Sequence, residues 1–283
     1  MSSYTYIHER GCGTRFRVLD LLSGRKGVLI RIAGELSISD AYSIIMGDTI
    51  YFFPQSIAVK IPPRPVKVAA TLRLSNMLVT RLNLGLARWR LQYIYAVGGI
   101  YAGRPTSICE RYSVAQNDWT WVPRLNSPQS NNEACIVNDR VLYTIGVDPS
   151  SGIRLLNYGC RRPSSVERLD LQDEENGWMI LTVAGLEWIL TESCRACQRS
   201  DSEVLVFGCM GERSYTFGVT VEGGPMNVTP AENMKCEEDF SYSENVTVTR
   251  GGNINVMSSV SGRLHTYSIK KKVWTMRKVH YNE

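Results

Sequence analysis

The stretch Tyr112-Ser-Val-Ala-Gln-Asn-Asp-Trp119-Thr120 returns without a gap as Tyr267-Ser-Ile-Lys-Lys-Lys-Val-Trp274-Thr275. Both read Tyr-Ser, a β-branched residue, four variable positions and then Trp-Thr. An aromatic residue on one strand, a polar turn and a Trp opening the next strand describe a β-hairpin. A looser third copy runs from Glu167-Arg168-Leu169-Asp170 to Trp178 through a longer, acidic turn. Its Glu-Arg matches the Glu110-Arg111 that precedes Tyr112.

A second pattern lies upstream of each hairpin. Gln92-Tyr-Ile-Tyr-Ala-Val-Gly98-Gly99 is echoed by Val141-Leu-Tyr-Thr-Ile-Gly146 and Val204-Leu-Val-Phe-Gly208, and in reduced form by Ile50-Tyr-Phe-Phe53. Short, continuously apolar runs of this kind are strands buried on both faces. Turn signals precede them at Gly47-Asp48, Asn138-Asp139, Ser200-Asp201 and Gly251-Gly252. The unit is four strands in about 45–50 residues, the size of one β-propeller blade. No stretch sustains apolar residues at i, i+3, i+4 and i+7, so the chain is expected to be all-β.

These residues resemble the kelch repeat, whose pattern is an apolar strand, a Gly pair, then a Tyr and a Trp with about six residues between. Residues 86–124 carry it most fully, through Arg88, Gly98-Gly99, Arg111-Tyr112 and Trp119. Residues 133–183 have one Gly for two and Leu169 in place of Tyr. Residues 251–280 keep the Tyr and the Trp, and 193–229 and 40–80 match in their strands. The resemblance implies one β-propeller domain over 1–283, with six four-stranded blades; five or seven are the alternatives. The strands within about 1–33 (Thr14 to Asp20 and Gly27 to Arg31) are then expected to help close the ring. Closure removes a free sheet edge and completes the burial between blades.

Bulk properties narrow the function. A net charge of +5, from 32 basic and 27 acidic residues, comes without a long block of one sign. The cluster Lys270-Lys271-Lys272 suits a solvated strand edge, and nucleic acid is not an expected partner. No apolar run reaches the ~20 residues that span a bilayer, and the first ten residues lack the apolar core of a signal peptide. Eight cysteines are then expected as free thiols in the cytoplasm, where the sequons at Asn227 and Asn245 go unmodified.

No cofactor or metal is expected. Cys194-Arg-Ala-Cys197 has no second ligand pair at zinc-site spacing. The three histidines, His8, His265 and His280, stand near the two ends of the chain. The turn at Asp173-Glu-Glu-Asn-Gly177-Trp178 lacks the order of a sialidase Asp-box. The expected function is therefore non-catalytic: a scaffold that binds partner proteins through loops, and a fixed subunit of a cytoskeletal or other large assembly. Residues 1–40 read as strands, without the helical dimerisation segment that many kelch proteins carry. The alternative is a small-molecule enzyme on a related propeller, a sugar-acid isomerase or hydrolase.

Function on such a scaffold belongs to its loops. The longest candidates are 54–65, 99–107, 147–163, 184–199 and 230–244. Arg104, Arg154, Arg161, Arg162 and Arg195 lie in three of them. The resemblance implies that arginines at this face grip carboxylates of acidic peptides in forked pairs. Asn131, Asn132 and Trp188 are further candidates for the same surface.

Overall fold

The structure is a computed structural model, and it describes residues 4–8, 15–20, 28–31, 42–53, 56–60, 71–147, 165–184, 195–200, 203–210, 213–220, 226–230, 245–248, 253–258, 263–268, 271 and 273–278. Among them the chain is all-β, with a single 3-10 turn at Glu174–Asn176.

The first sheet is β1 (Tyr4–His8), β2 (Arg15–Asp20) and β3 (Val28–Arg31). The second is β4 (Tyr42–Met46), β5 (Thr49–Phe53), β6 (Ile57–Lys60) and β7 (Thr71–Arg73). The third is β8 (Gly85–Trp89), β9 (Tyr93–Val97), β12 (Cys109–Ser113) and β13 (Asp118–Val122), with a small hairpin, β10 (Ile100–Tyr101) and β11 (Arg104–Pro105), between its middle strands. The fourth is β14 (Ser130–Val137), β15 (Val141–Val147), β16 (Ser165–Asp170) and β17 (Met179–Leu181). Thr182 alone separates β17 from β18 (Val183–Ala184). That short strand joins the fifth sheet, β19 (Arg195–Ser200), β20 (Glu203–Met210), β21 (Arg213–Thr220) and β22 (Met226–Pro230), by pairing in parallel with β22. The sixth is β23 (Asn245–Val248), β24 (Ile254–Ser258), β25 (Arg263–Ser268) and β26 (Val273–Lys278). Apart from β18, all neighbouring strands are antiparallel and follow chain order.

The repeated motif forms the predicted hairpin in the same register twice. Tyr112 pairs with Trp119 across β12 and β13, and Tyr267 with Trp274 across β25 and β26. Both ring pairs sit 5.3 Å apart at a tilt near 50°, the offset geometry that aromatic quadrupoles favour. The apolar runs ahead of them are buried as their composition demands: Ile94 to Val97 on β9, Leu142 to Ile145 on β15 and Ile50 to Phe53 on β5.

The chain falls into two compact units, Ser75–Ser241 and Met1–Leu74 with Tyr242–Glu283. In the former, β14 lies against β8 on one side and β19 on the other, so the first strands of three successive sheets are neighbours. The core between the third and fourth sheets is built from Tyr95, Val97, Cys109, Leu142, Leu169 and Trp178, among others. The acidic turn after β16 reaches back to the third sheet, where Glu174 accepts hydrogen bonds from the Tyr95 hydroxyl at 2.8 Å and from Arg111 Nη1 at 2.9 Å. In the other unit β1 lies beside β23. β1 to β3 bond to one another, and β23 to β26 already number four.

Candidate partner-binding site

Each segment that leads into the third and fourth sheets is fastened at matching points. Glu110 is fully buried and accepts hydrogen bonds from the backbone N–H of Leu78 at 2.8 Å and Val79 at 3.2 Å. Glu167, also fully buried, accepts them from Asn126 at 2.8 Å and Ser127 at 3.2 Å. Three residues earlier, the Trp119 indole N–H donates to the Ser75 carbonyl at 3.1 Å, and the Trp178 indole to that of Pro123 at 2.7 Å. Three residues later, Arg81 pairs with Glu110 at 3.3 Å and Gln129 donates to Glu167 at 3.1 Å. Burial pushes the Glu110 carboxyl up and the Arg81 guanidinium down, and their pairing pulls each back. The repeated Glu and Trp are thus committed to holding backbone in place.

The entering segments in turn prop the hairpin of β10 and β11. Leu82 and Ile100 exchange both backbone hydrogen bonds, at 3.0 and 2.6 Å. Gly99 donates to the Gln129 carbonyl at 2.9 Å, and Gln129 N–H returns a bond to the Thr106 carbonyl at 3.2 Å. Gly99 is required here: its φ is +105°, and a Cβ would stand 2.6 Å from the Leu82 carbonyl oxygen. Ala102 at φ 49° and Gly103 at φ 75° make the two-residue turn whose twist suits a hairpin.

Across that turn Tyr101 pairs with Arg104, so the two side chains stand side by side on one face. Both are exposed, Tyr101 by 52%. Leu82, 49% exposed, flanks the hairpin on its other side. Pro105 ends β11 and has no N–H to offer at that edge, which discourages strand addition there. The hairpin therefore presents side chains to solvent, an aromatic ring and a guanidinium, on a base fixed from two directions.

Among solved structures, 483 chains match the fold of this chain. The chain is similar in fold to YjhT. The likeness to YjhT has a TM-score of 0.64 and covers 85% of this chain and 84% of that one, at 10% sequence identity. At that identity the likeness to YjhT is one of fold alone. No protein-family model and no curated protein matches the chain.

The structure describes four of the eight candidates from the sequence. Arg104 is on the propped hairpin, within a segment expected to be loop. Asn132 is 3% exposed in β14, not on the surface: its amide donates to Gln129 Oε1 at 3.1 Å and Thr144 Oγ1 at 3.2 Å. Asn131 is its neighbour on the same strand. Arg195 opens β19 and is no loop residue, because Arg-Ala-Cys-Gln continues the two-residue alternation of a strand. Arg154, Arg161, Arg162 and Trp188 lie outside the described residues. Tyr101 and Leu82 went unnoticed; the turn pair Ala102-Gly103 between Tyr101 and Arg104 was the available signal.

The buried ionisable groups described here are suited to structure. Burial pushes the Cys109 and Cys135 thiols up to about 12, so neither is a thiolate nucleophile at neutral pH. Among the described residues no three His, Cys, Asp or Glu side chains gather to hold a metal, and no helix is long and apolar enough to cross a membrane.

Proposed function

We propose that the chain is a kelch-type β-propeller that acts as a cytoplasmic, non-catalytic scaffold for partner proteins. The antiparallel sheets in chain order, the adjacent first strands of the third, fourth and fifth, and the fold likeness to YjhT support six blades in one ring. The twice-occurring Glu and Trp fastenings fit a repeat kept for packing. Free, protonated Cys109 and Cys135 accord with a reducing compartment.

The observation that carries the binding reading is the propped hairpin. Tyr and Arg are the residues that most often dominate interfaces, and a base that is already ordered lowers the entropic cost of association. Arg104 offers a forked donor to a carboxylate while Tyr101 supplies an apolar face with a polar tip, so the fitting partner is an acidic segment with an apolar neighbour.

The test is a tagged pull-down from the native source, washed at moderately high salt and read by mass spectrometry, beside a Tyr101→Ala, Arg104→Glu double variant. A stoichiometric set of proteins held by the wild type and lost by the variant is expected. A chain that comes down bare would overturn the scaffold reading and turn the search to small-molecule substrates.

A further inference from the structure

The acidic turn between β16 and β17 carries the single Asn-Gly pair of the chain, Asn176-Gly177. Asparagine is among the chemically labile residues. Its carboxamide carbon is open to attack by the backbone nitrogen of the following residue, which a side chain ordinarily shields. Here that residue is glycine, and even a Cβ added to it would meet nothing within 4 Å. Asn176 itself is exposed.

Two other asparagines show how this fold protects such a group. Asn126 precedes the small Ser127, but the buried Glu167 holds both reacting groups: it takes the Asn126 carboxamide at 2.9 Å and the Ser127 N–H at 3.2 Å. Asn117, followed by Asp118, accepts from the Ser75 N–H at 3.0 Å and from the Tyr112 hydroxyl at 2.6 Å. Asn176 is fastened from within its own turn. Its carboxamide donates to the exposed Asp173 carboxylate, and the Gly177 N–H donates to the Glu174 carbonyl at 3.0 Å. The turn Glu174–Asn176 buries no residue and has no side-chain cap, so both bonds are released by a small local opening.

We propose that Asn176 is a self-modification site, converted in the folded chain to isoaspartate and aspartate with water as the co-reactant. The Gly177 nitrogen gives up its proton and bonds to Cγ of Asn176. The Cγ–Nδ2 bond breaks, and ammonia leaves with that proton from a cyclic succinimide. Water then opens the ring, at Cγ to give aspartate or at the main-chain carbonyl to give isoaspartate. Either product adds a negative charge beside Asp173, Glu174 and Glu175. Isoaspartate also lengthens the backbone by one atom between Leu171 and Trp178, whose burial fixes both ends of the turn. The strain falls on Glu174, which ties the turn to Tyr95 and Arg111 of the third sheet. This site is separate from the hairpin of β10 and β11 and stands or falls independently of it.

The full chain is incubated at mildly alkaline pH, folded and in urea, and peptide mapping by mass spectrometry separates Asn, Asp and isoaspartate at position 176. In the folded chain Asn176 is expected to convert within tenfold of its rate in urea, with isoaspartate in excess, and faster than Asn117 and Asn126. The aged protein, rich in isoaspartate, is expected to melt below the Asn176→Asp variant, which adds the charge without lengthening the backbone. Folded-state conversion more than tenfold slower than in urea overturns the proposal, because the turn would then protect the pair. So does faster loss at Asn117 or Asn126. Aspartate without isoaspartate would mean direct hydrolysis of the carboxamide and overturns the role of Gly177. Equal thermal midpoints for the aged protein and Asn176→Asp overturn the effect on the tie to the third sheet.

Discussion

Gly146 is the space into which Gln129 fits: a Cβ on Gly146 would stand 2.7 Å from Cβ of Gln129. Gln129 is fully buried, and its amide donates to Ser165 and Glu167, so it has nowhere to retreat. Gly146→Ala is therefore expected to destabilise the protein by about 1–3 kcal/mol. Differential scanning calorimetry checks it, with Gly103→Ala as a comparison. Gly103 meets open space, and only the strain of its φ of 75° opposes a side chain there, so its loss is expected to be smaller.

Glu110 and Glu167 do the same task beside different neighbours. Glu110→Gln leaves the buried Arg81 cation without its counter-charge, a change that costs about 3–5 kcal/mol. Glu167→Gln leaves Gln129, a neutral amide, and the expected loss is about 1–3 kcal/mol from hydrogen bonds to a charged acceptor. Urea unfolding of both variants checks the order. Equal losses would mean that the Arg81 charge is compensated elsewhere.

Asp170 titrates against Arg140. The Arg140 guanidinium, bonded to it at 2.6 Å, holds the Asp170 carboxyl below its ordinary value of 3.8. A depressed carboxylate contributes stability that is complete above its unfolded pKa and fades as pH falls through the folded one. Asp170→Asn is thus expected to lower the thermal midpoint slightly at pH 7. The gap should close as the pH drops below about 4, in scans of both proteins across that range.

Ala102 holds a φ of 49°, which an L side chain adopts at a cost of roughly 1–2 kcal/mol. Ala102→Gly, giving a Gly-Gly turn, is expected to slow hydrogen exchange in β10 and β11. If Tyr101 and Arg104 form the proposed contact, the variant binds the same partner at least as tightly. Loss of binding with a more protected hairpin would show that the partner needs the turn to move.

The Tyr-to-Trp hairpins were legible because both partners sit a few residues apart and the turn between them is polar. Buried strands such as β9 and β15 announced themselves by unbroken apolar runs. Glu110 and Glu167 repeat in the sequence, yet their reason does not, because the N–H groups they hold lie 32 and 41 residues away at Leu78 and Asn126. Asn132 reads as a surface amide, and only the proximity of Gln129 and Thr144 shows that it is interior. Arg104 was visible as a charge in a long loop. That Tyr101 stands beside it depends on pairing across a turn that contains no Asn-Gly or Asp-Gly.

Because each entering segment is clasped by the sheet it enters, the natural unit of inheritance is offset from the sheet. Ser75 to Val122, with Trp119 and Glu110 closing on Ser75, Leu78 and Val79, is one self-consistent cassette, and Pro123 to Leu181 is the next. A duplication, deletion or graft that begins at Gly85, where the third sheet starts, parts the clasp from what it holds. One that begins at Ser75 keeps them together.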